Sequence, residues 1–327
     1  MNPKTKNLTK HNGLHLKSEA KYFFDFNSTT DLEKIADFAK NKDKKIQIIG
    51  SGTNAIFPEY FSDIVIKSNN NDFSLNDEGD RVNLVVGAAV VWDDLIDFCV
   101  NKSLFGLGNL AGIPGTVGAA PVQNIGAYGE EISNFVTHVE CFDLDTLKTI
   151  KLTKSDCKFD YRKSIFQESN NLIILSVGLS LLKEFKPKLH YQDLKNNSFR
   201  DENELVQTVR NIRNKKIPDP IDFPNLGSFF KNPTISKEEH EKNPKLHELK
   251  SYDLDNGDIK LSAGEMLEKL GLKGLQLRNI GLSNMHALIL INNGMCTASD
   301  VRHVENYLLN IVSNSYGIKL EREPIYL

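Results

Sequence analysis

Gly112-Ile113-Pro114-Gly115-Thr116-Val117-Gly118-Ala119-Ala120-Pro121-Val122-Gln123-Asn124-Ile125-Gly126-Ala127-Tyr128-Gly129 is the stretch on which the reading of this chain turns. Small residues dominate it and two prolines fix its path. Its backbone can therefore press against a flat ligand and offer N–H and C=O groups to the ligand's edge. The stretch lies within a longer run, residues 103–129, that holds seven glycines and no charged residue. A bilayer span takes about 20 apolar residues, and this run is long enough. Its glycines, prolines and amides (Asn109, Gln123, Asn124) would nevertheless make a poor helix in lipid. Backbone approaching a ligand is the reading it supports, ahead of a tightly packed glycine-rich crossover.

The rest of the chain agrees with a soluble globular protein. Its 327 residues, at roughly 150 per domain, suggest about two domains or three small ones. Hydrophobic residues make up 40% and charged residues 25%, enough for a real core. Forty Lys and Arg against 43 Asp and Glu leave a net charge of -3, which excludes a broadly basic nucleic-acid surface. Cys99, Cys141, Cys157 and Cys296 stand apart, with no metal-ligand spacing. This excludes a disulfide scaffold or a zinc module and fits a reducing cytosol. The first 22 residues carry lysines but no apolar core of the signal-peptide kind.

Working outward, the sequence predicts a helix over residues 30–40, opened by the capping-box spacing of Thr30 and Glu33. Strands are expected at 45–49, 63–67, 81–91, 136–142, 149–152 and 171–182. Residues 69–80 are polar and read as a boundary loop, and 186–200 as an excursion from the core. A helix over 202–215 carries Leu205, Val209 and Ile212 on one face and cations at its C-terminal end. Further on, a short helix at 263–270, a strand at 286–292, a helix at 299–313 and a strand at 318–323 suggest a closing β-α-β unit.

Gly50-Ser51-Gly52-Thr53-Asn54 follows a strand but is no dinucleotide fingerprint: the third glycine is missing and Pro58 interrupts the expected helix. Two readings remain, a nest of N–H groups that cradles a phosphate and a tight turn.

Several segments, taken in order, resemble one family. Residues 112–129 resemble the flavin-binding signature of the UDP-N-acetylenolpyruvoylglucosamine reductase (MurB) family, and Gly50 to Asn54 its first FAD pyrophosphate loop. Tyr161-Arg162-Lys163-Ser164-Ile165-Phe166 resembles its catalytic-arginine motif. Lys216-Ile217-Pro218-Asp219-Pro220 precedes Gly227-Ser228-Phe229-Phe230-Lys231-Asn232-Pro233, which resembles its catalytic-serine motif. Ala263-Gly264 with Gly271-Leu272-Lys273-Gly274, and Leu320-Glu321-Arg322-Glu323, are similar to later blocks. Residues 187–194 resemble the tyrosine-bearing loop of the type I form.

The resemblance implies an α+β fold: a two-part FAD-binding domain of the vanillyl-alcohol-oxidase/PCMH type and a C-terminal α/β substrate-binding domain. The expected segments are 1–69, 70–216 and 217–327, with C-terminal residues returning to the first. It implies FAD held at Gly50, Ser51, Gly52, Thr53, Asn54, Gly112, Ile113, Pro114, Gly115, Gly118, Ala119, Asn124 and Gly126. Neither glycine motif offers a His or Cys for a covalent link. NADPH is the implied reductant, no metal is expected, and the setting is a bacterial cytoplasm without nucleic-acid contact or membrane insertion. The sequence specifies no oligomeric partner.

The reaction implied is hydride delivery to an enol ether, with charge developing beside a carboxylate. Arg162 would grip that carboxylate through a bidentate fork. Ser228 would donate the proton. Glu323 would hydrogen-bond the carboxylate region, steer the intermediate or, if protonated, donate. Tyr128, Tyr191, Lys216, Asn232, Tyr252 and Lys260 would contact the nucleotide-sugar, Tyr191 as the lid tyrosine. Departures from the family pattern stand at Pro224, Glu265, His286, Pro324 and Ile325. They keep two other readings open, a catalytically silent sugar-nucleotide binder and another FAD oxidoreductase of the same fold.

Overall fold

The computed structural model describes residues 2–327, which form two compact units. The first gathers the stretch up to Lys6 with Ala20–Ser51 and Phe61–Arg213; the second gathers Asn7–Glu19, Gly52–Tyr60 and Asn214–Leu327. The chain thus passes from the first unit to the second three times, after residues 6, 51 and 213. The expected segment 1–69 is divided accordingly.

In the first unit a five-stranded antiparallel sheet runs in the order Lys148–Thr153, Val136–Asp143, Leu172–Leu182, Arg81–Gly87, Phe73–Glu78. Its central strand Leu172–Leu182 is buried along most of its length because both faces are covered. Ile173 joins Phe142 and helix residues Leu32 and Ile35 in one cluster, whereas Ile174 and Val177 join a larger cluster. That larger cluster includes Trp92, Leu95, Ile96 and Cys99 of helix Trp92–Asn101, and Leu205, Val206 and Val209 of helix Glu202–Lys216. A second sheet orders Lys4–Asn7, Glu19–Phe26, Tyr60–Ser68 and Ile46–Ile48, the last two parallel.

Several expectations need correction. The helix expected over 30–40 is Thr29–Lys42, and its cap is Ser28, whose Oγ accepts from the Asp31 N–H, not Thr30. The polar stretch 69–80 contains the strand Phe73–Glu78, exposed throughout and paired as an edge with Arg81–Gly87. Glu19–Phe26 and Trp92–Asn101 are elements to which the sequence reading assigned nothing.

The second unit holds an antiparallel sheet ordered Asn225–Ser228, Ile289–Asn292, Ile280–Leu282, Gln276–Leu277. A three-stranded sheet, Thr234–Ile235, Ile259–Leu261, Ser251–Asp253, lies in the same unit. Helix Ala298–Tyr316 begins with a capping box between Thr297 and Asp300 and ends at Gly317. Val301, Val304, Leu308 and Val312 of this helix pack with Phe229, Phe230 and Met266 in one core.

The expected closing β-α-β unit does not form. Residues 318–323 make no strand; Ile318 and Leu320 alternate because they are buried, not because they sit in a ladder. The last strand is Ile325–Tyr326, parallel to Ala55–Ile56.

Candidate functional site

In the first unit the glycine-rich run is held by side chains on its own backbone. The Gly112 N–H donates to Asp93 Oδ1 at 2.7 Å, and the Gly112 carbonyl accepts from Arg213 Nε at 3.0 Å. Trp92 Nε1 donates to the Leu110 carbonyl, and the Gly108 N–H donates to Glu202 Oε1. Gly118 donates to the Ala88 carbonyl and Ala119 to that of Thr116. The Asn124 amide nitrogen donates to Glu131 and to the Asp160 carbonyl, while its oxygen accepts from the Ser133 N–H. Asn124 therefore braces the run instead of presenting its amide to a ligand.

The N–H groups of Ile113, Gly115 and Thr116, and those of Gly50 and Ser51, have no partner among the described residues. The two turns adjoin: a methyl group placed on Gly50 would lie 3.1 Å from Thr116 Oγ1 and 3.4 Å from Ala119 Cβ. Five unmade donors in adjoining turns fit the phosphate and ring-edge acceptors of an FAD. Between the two readings of the Gly50 turn, this favours the nest.

Arg162 stands at the tip of a tight loop closed by reciprocal backbone bonds between Asp160 and Lys163. Its Nη2 donates to the Gly126 carbonyl at 2.6 Å. Ser164 Oγ donates to the Val122 carbonyl at 2.6 Å, so the arginine loop is fastened to the glycine-rich run.

Arg213, which sequence reading missed, is the other cation here. Burial pushes its guanidinium below the usual arginine range; Tyr128 and Asp93 oppose that shift, and Arg162 adds to it. No carboxylate pairs with Arg213 among the described residues. A buried guanidinium with no carboxylate paired to it among the described residues favours an anion. The spacing of Arg210, Arg213 and Lys216, three residues apart on one helix, was the available signal, but it read as ordinary C-terminal helix charge.

Tyr128 and Tyr191 meet edge to face with centroids 5.4 Å apart. Burial raises the Tyr128 hydroxyl to about 12, so it remains a hydrogen-bond donor at neutral pH.

In the second unit Ser228 ends the strand Asn225–Ser228, opposite Ile289, after a register shift. The Gly227 N–H donates to Asn225 Oδ1, and the Asn225 amide nitrogen holds the Pro218 and Phe223 carbonyls. Ser228 is half-buried and its hydroxyl has no hydrogen-bond partner among the described residues. Beyond it the chain pairs with the C-terminal segment. The Glu323 N–H donates to the Phe229 carbonyl and the Lys231 N–H to the Glu321 carbonyl. Ser228 and Glu323 are thereby brought to neighbouring backbone positions. Glu305 fixes that segment by accepting from Arg322 Nη1 at 2.8 Å and from the Tyr326 hydroxyl at 2.9 Å.

Tyr252 and Lys260 face each other across the pair Ser251–Asp253 and Ile259–Leu261. The Asn232 oxygen caps helix Ala263–Lys269 through the Ala263 N–H. Gly52, Thr53 and Asn54 belong to this unit: the Gly52 carbonyl accepts from Gly13 and that of Asn54 from Ile325.

The departures from the family pattern also have places. Glu265 accepts from the Lys250 N–H at 2.7 Å. The Pro224 carbonyl accepts from Asn292, and Ile325 pairs with Ala55. His286 takes the Leu288 N–H on Nδ1, and burial lowers its proton affinity; Glu268 opposes that shift while Lys216 and Lys273 reinforce it.

Among the described residues no helix is long and apolar enough to cross a membrane, and residues 103–129 form turns, a short 3-10 helix and the two-residue strand Gly126–Ala127. The family described as UDP-N-acetylenolpyruvoylglucosamine reductase, C-terminal domain, matches residues 219–327, and the FAD binding domain family matches residues 20–151. The UDP-N-acetylenolpyruvoylglucosamine reductase of Shewanella sp. (strain MR-7) is 38% identical over 284 residues, covering 85% of this chain and 83% of that protein. The protein of the same name from Polynucleobacter asymbioticus is 34% identical and covers 98% of this chain and 97% of its own. A crystal structure of UDP-N-acetylenolpyruvylglucosamine reductase (MurB) from Thermus caldophilus shares the fold, with a TM-score of 0.70 at 22% identity and full coverage of both chains. With the flavin, arginine, serine and glutamate motifs each built into the structure as described, the chain belongs to the UDP-N-acetylenolpyruvoylglucosamine reductase family.

Proposed function

We infer that the protein catalyses the NADPH-dependent reduction of UDP-N-acetylglucosamine enolpyruvate to UDP-N-acetylmuramate in peptidoglycan precursor synthesis. The observation that carries the reading is the backbone bond from Glu323 to Phe229, which sets the glutamate motif beside the serine motif. FAD, once bound, supplies the hydride relay between NADPH and the enol ether. Ile113, Gly115 and Thr116, with Gly50 and Ser51, would hold the cofactor through the N–H groups they leave unmade.

The remaining chemistry belongs to side chains. Arg162 is assigned to the substrate carboxylate, where a guanidinium fork stabilises negative charge as it develops. Arg213 adds a second, fixed positive charge in the same unit. Ser228 is assigned as the proton donor, supported by its unpartnered hydroxyl. Glu323 is assigned to orient the reacting group. Tyr128, Tyr191, Lys216, Asn232, Tyr252 and Lys260 are assigned to the nucleotide-sugar, the two lysines to its diphosphate. A cytoplasmic setting suits those substrates and the four free cysteines. The departures at Pro224, Glu265 and Ile325 have structural partners of their own, which favours an active enzyme over a silent binder.

The test is NADPH oxidation by the FAD-loaded protein with and without UDP-N-acetylglucosamine enolpyruvate. Substrate-dependent oxidation with formation of the lactyl ether is the expected outcome. Nucleotide-sugar binding without turnover would identify a silent binder, and turnover only with other acceptors a different oxidoreductase.

A further inference from the structure

The loop that carries Tyr191 is fastened at its root by one buried amide. Asn109 is 2% exposed, and its Nδ2 donates to two backbone carbonyls, that of Tyr128 at 2.9 Å and that of Lys188 at 2.9 Å. The first belongs to the end of the glycine-rich run and the second to the loop. A single side chain thus sets the spacing between the strand of backbone that bears Tyr128 and the one that bears Tyr191.

An ion pair reinforces the same joint. Lys188 Nζ lies 3.0 Å from Glu130 Oε2, and the Glu130 side chain is almost fully buried. Glu130 is itself fixed by the Glu131 N–H and the Asn134 amide. A cavity of about 200 Å³ adjoins the joint, lined by Asn109, Glu130, Asn134, Lys188 and Glu202 among others. It gives the root of the loop room to shift when the amide bond is lost. Further along, Leu194 is fully buried in the main core, so the loop is pinned on both sides of Tyr191.

We propose that Asn109 is a positioning residue for the Tyr191 loop, acting with the Glu130–Lys188 pair, and that it sets affinity for the nucleotide-sugar without taking part in flavin reduction. The consequence for affinity rests on the substrate reading above; the clamp itself does not. Asn109→Asp keeps the size of the side chain but turns a carboxylate oxygen toward two carbonyls. Lys188→Met removes the ion pair and leaves the backbone carbonyl that Asn109 holds. Lys188→Arg restores the charge.

The experiment uses the FAD-loaded protein and two readouts. Trypsin cleavage after Lys195 or Arg200 reports loop opening in the absence of substrate. Steady-state kinetics report KM for UDP-N-acetylglucosamine enolpyruvate beside the rate of flavin reduction by NADPH. Loss of both hydrogen bonds predicts, for Asn109→Asp, cleavage and KM both raised roughly tenfold or more. Flavin content and the NADPH half-reaction stay at wild-type values. Lys188→Met shifts both readouts in the same direction by less, and Lys188→Arg returns them. Unchanged cleavage in Asn109→Asp and Lys188→Met overturns the clamp. Faster cleavage with unchanged KM overturns the link to substrate. Equal slowing of the NADPH half-reaction overturns the assignment as a loop-positioning residue. A wild-type protein that turns over no nucleotide-sugar would sink the substrate reading and the affinity consequence together, while the cleavage result still decides the clamp.

Discussion

The glycine-rich run of the first unit and the serine strand of the second each leave polar groups unmade, and they are held in place by opposite means. The run is braced from outside by side chains: Asp93 and Arg213 take the two ends of the Gly112 peptide, Trp92 takes Leu110 and Glu202 takes Gly108. The serine strand is placed by backbone pairing, with Ile289 on one side and the C-terminal segment beyond it, and one side chain, Asn225, folds the preceding turn. Their glycines differ accordingly. A methyl on Gly118 would meet Ala88 Cβ at 2.6 Å, so that glycine exists for close packing. A methyl on Gly227 would meet nothing within 4 Å, but its φ of +70° demands a left-handed turn. One glycine is needed for space and the other for conformation.

The largest effect should fall on the serine strand and on one half of the reaction. Ser228→Ala is expected to slow oxidation of reduced flavin by the enolpyruvyl substrate by on the order of 10² to 10⁴, the usual worth of a positioned general acid. Reduction of the flavin by NADPH should stay nearly unchanged, since no proton from Ser228 is needed there. Stopped-flow flavin absorbance separates the halves; equal slowing of both would show that the serine shapes the cofactor pocket. Arg162→Lys keeps the charge and loses the fork, so the same half-reaction should slow by about 10².

The two glycines sharpen the contrast at a smaller scale. Gly118→Ala should cost about 1–3 kcal/mol of stability by overpacking and should weaken FAD retention, read from thermal unfolding and bound flavin. Gly227→Ala should cost about 1–2 kcal/mol through backbone strain alone, and Gly227→Asn less, because asparagine tolerates the left-handed region. If Asn rescues position 118 as well as 227, the distinction between space and conformation fails.

The smallest effect concerns Glu202, which braces the run through the Gly106 and Gly108 N–H groups. Burial raises its proton affinity more than those two bonds lower it. A carboxyl raised in the folded state contributes stability in its protonated form. That contribution is complete below the unfolded value of about 4.3 and is lost as pH climbs through the folded one. Glu202→Gln keeps the acceptor and cannot ionise. Its melting temperature relative to wild type should therefore rise as pH increases from 4 through the folded value. A flat difference across that range would mean that Glu202 is as well solvated as an exposed carboxylate.

Part of this architecture was readable from residue order and part was not, for identifiable reasons. Helix Glu202–Lys216 matched its expected span closely because Leu205, Val209 and Ile212 repeat at helical spacing. Strand Glu19–Phe26 escaped notice because Phe23 and Phe24 are adjacent and both buried, which erases the period of two. Strand Phe73–Glu78 escaped because an exposed edge needs no apolar face. The glycine-rich motif marked the turn that leaves N–H groups unmade. It could not separate Gly115, whose N–H is unmade, from Gly112, whose N–H and carbonyl are both taken by side chains.

The sequence by itself determined the chemistry-bearing motifs, the turns that present them and the family. These are local patterns of small residues, prolines and charged side chains, whose backbone preferences act over a few residues. Only the tertiary structure decided that residues 7–19 and 52–60 join the C-terminal third, and that residues 321–323 pair with 229–231. It also decided that Asn124 and Gly112 serve as braces and that Arg213 is buried against the glycine-rich run. Each of these depends on which distant groups satisfy a buried backbone N–H, carbonyl or charge. Such partners are selected by chain closure and packing across the whole unit, and no local pattern encodes them.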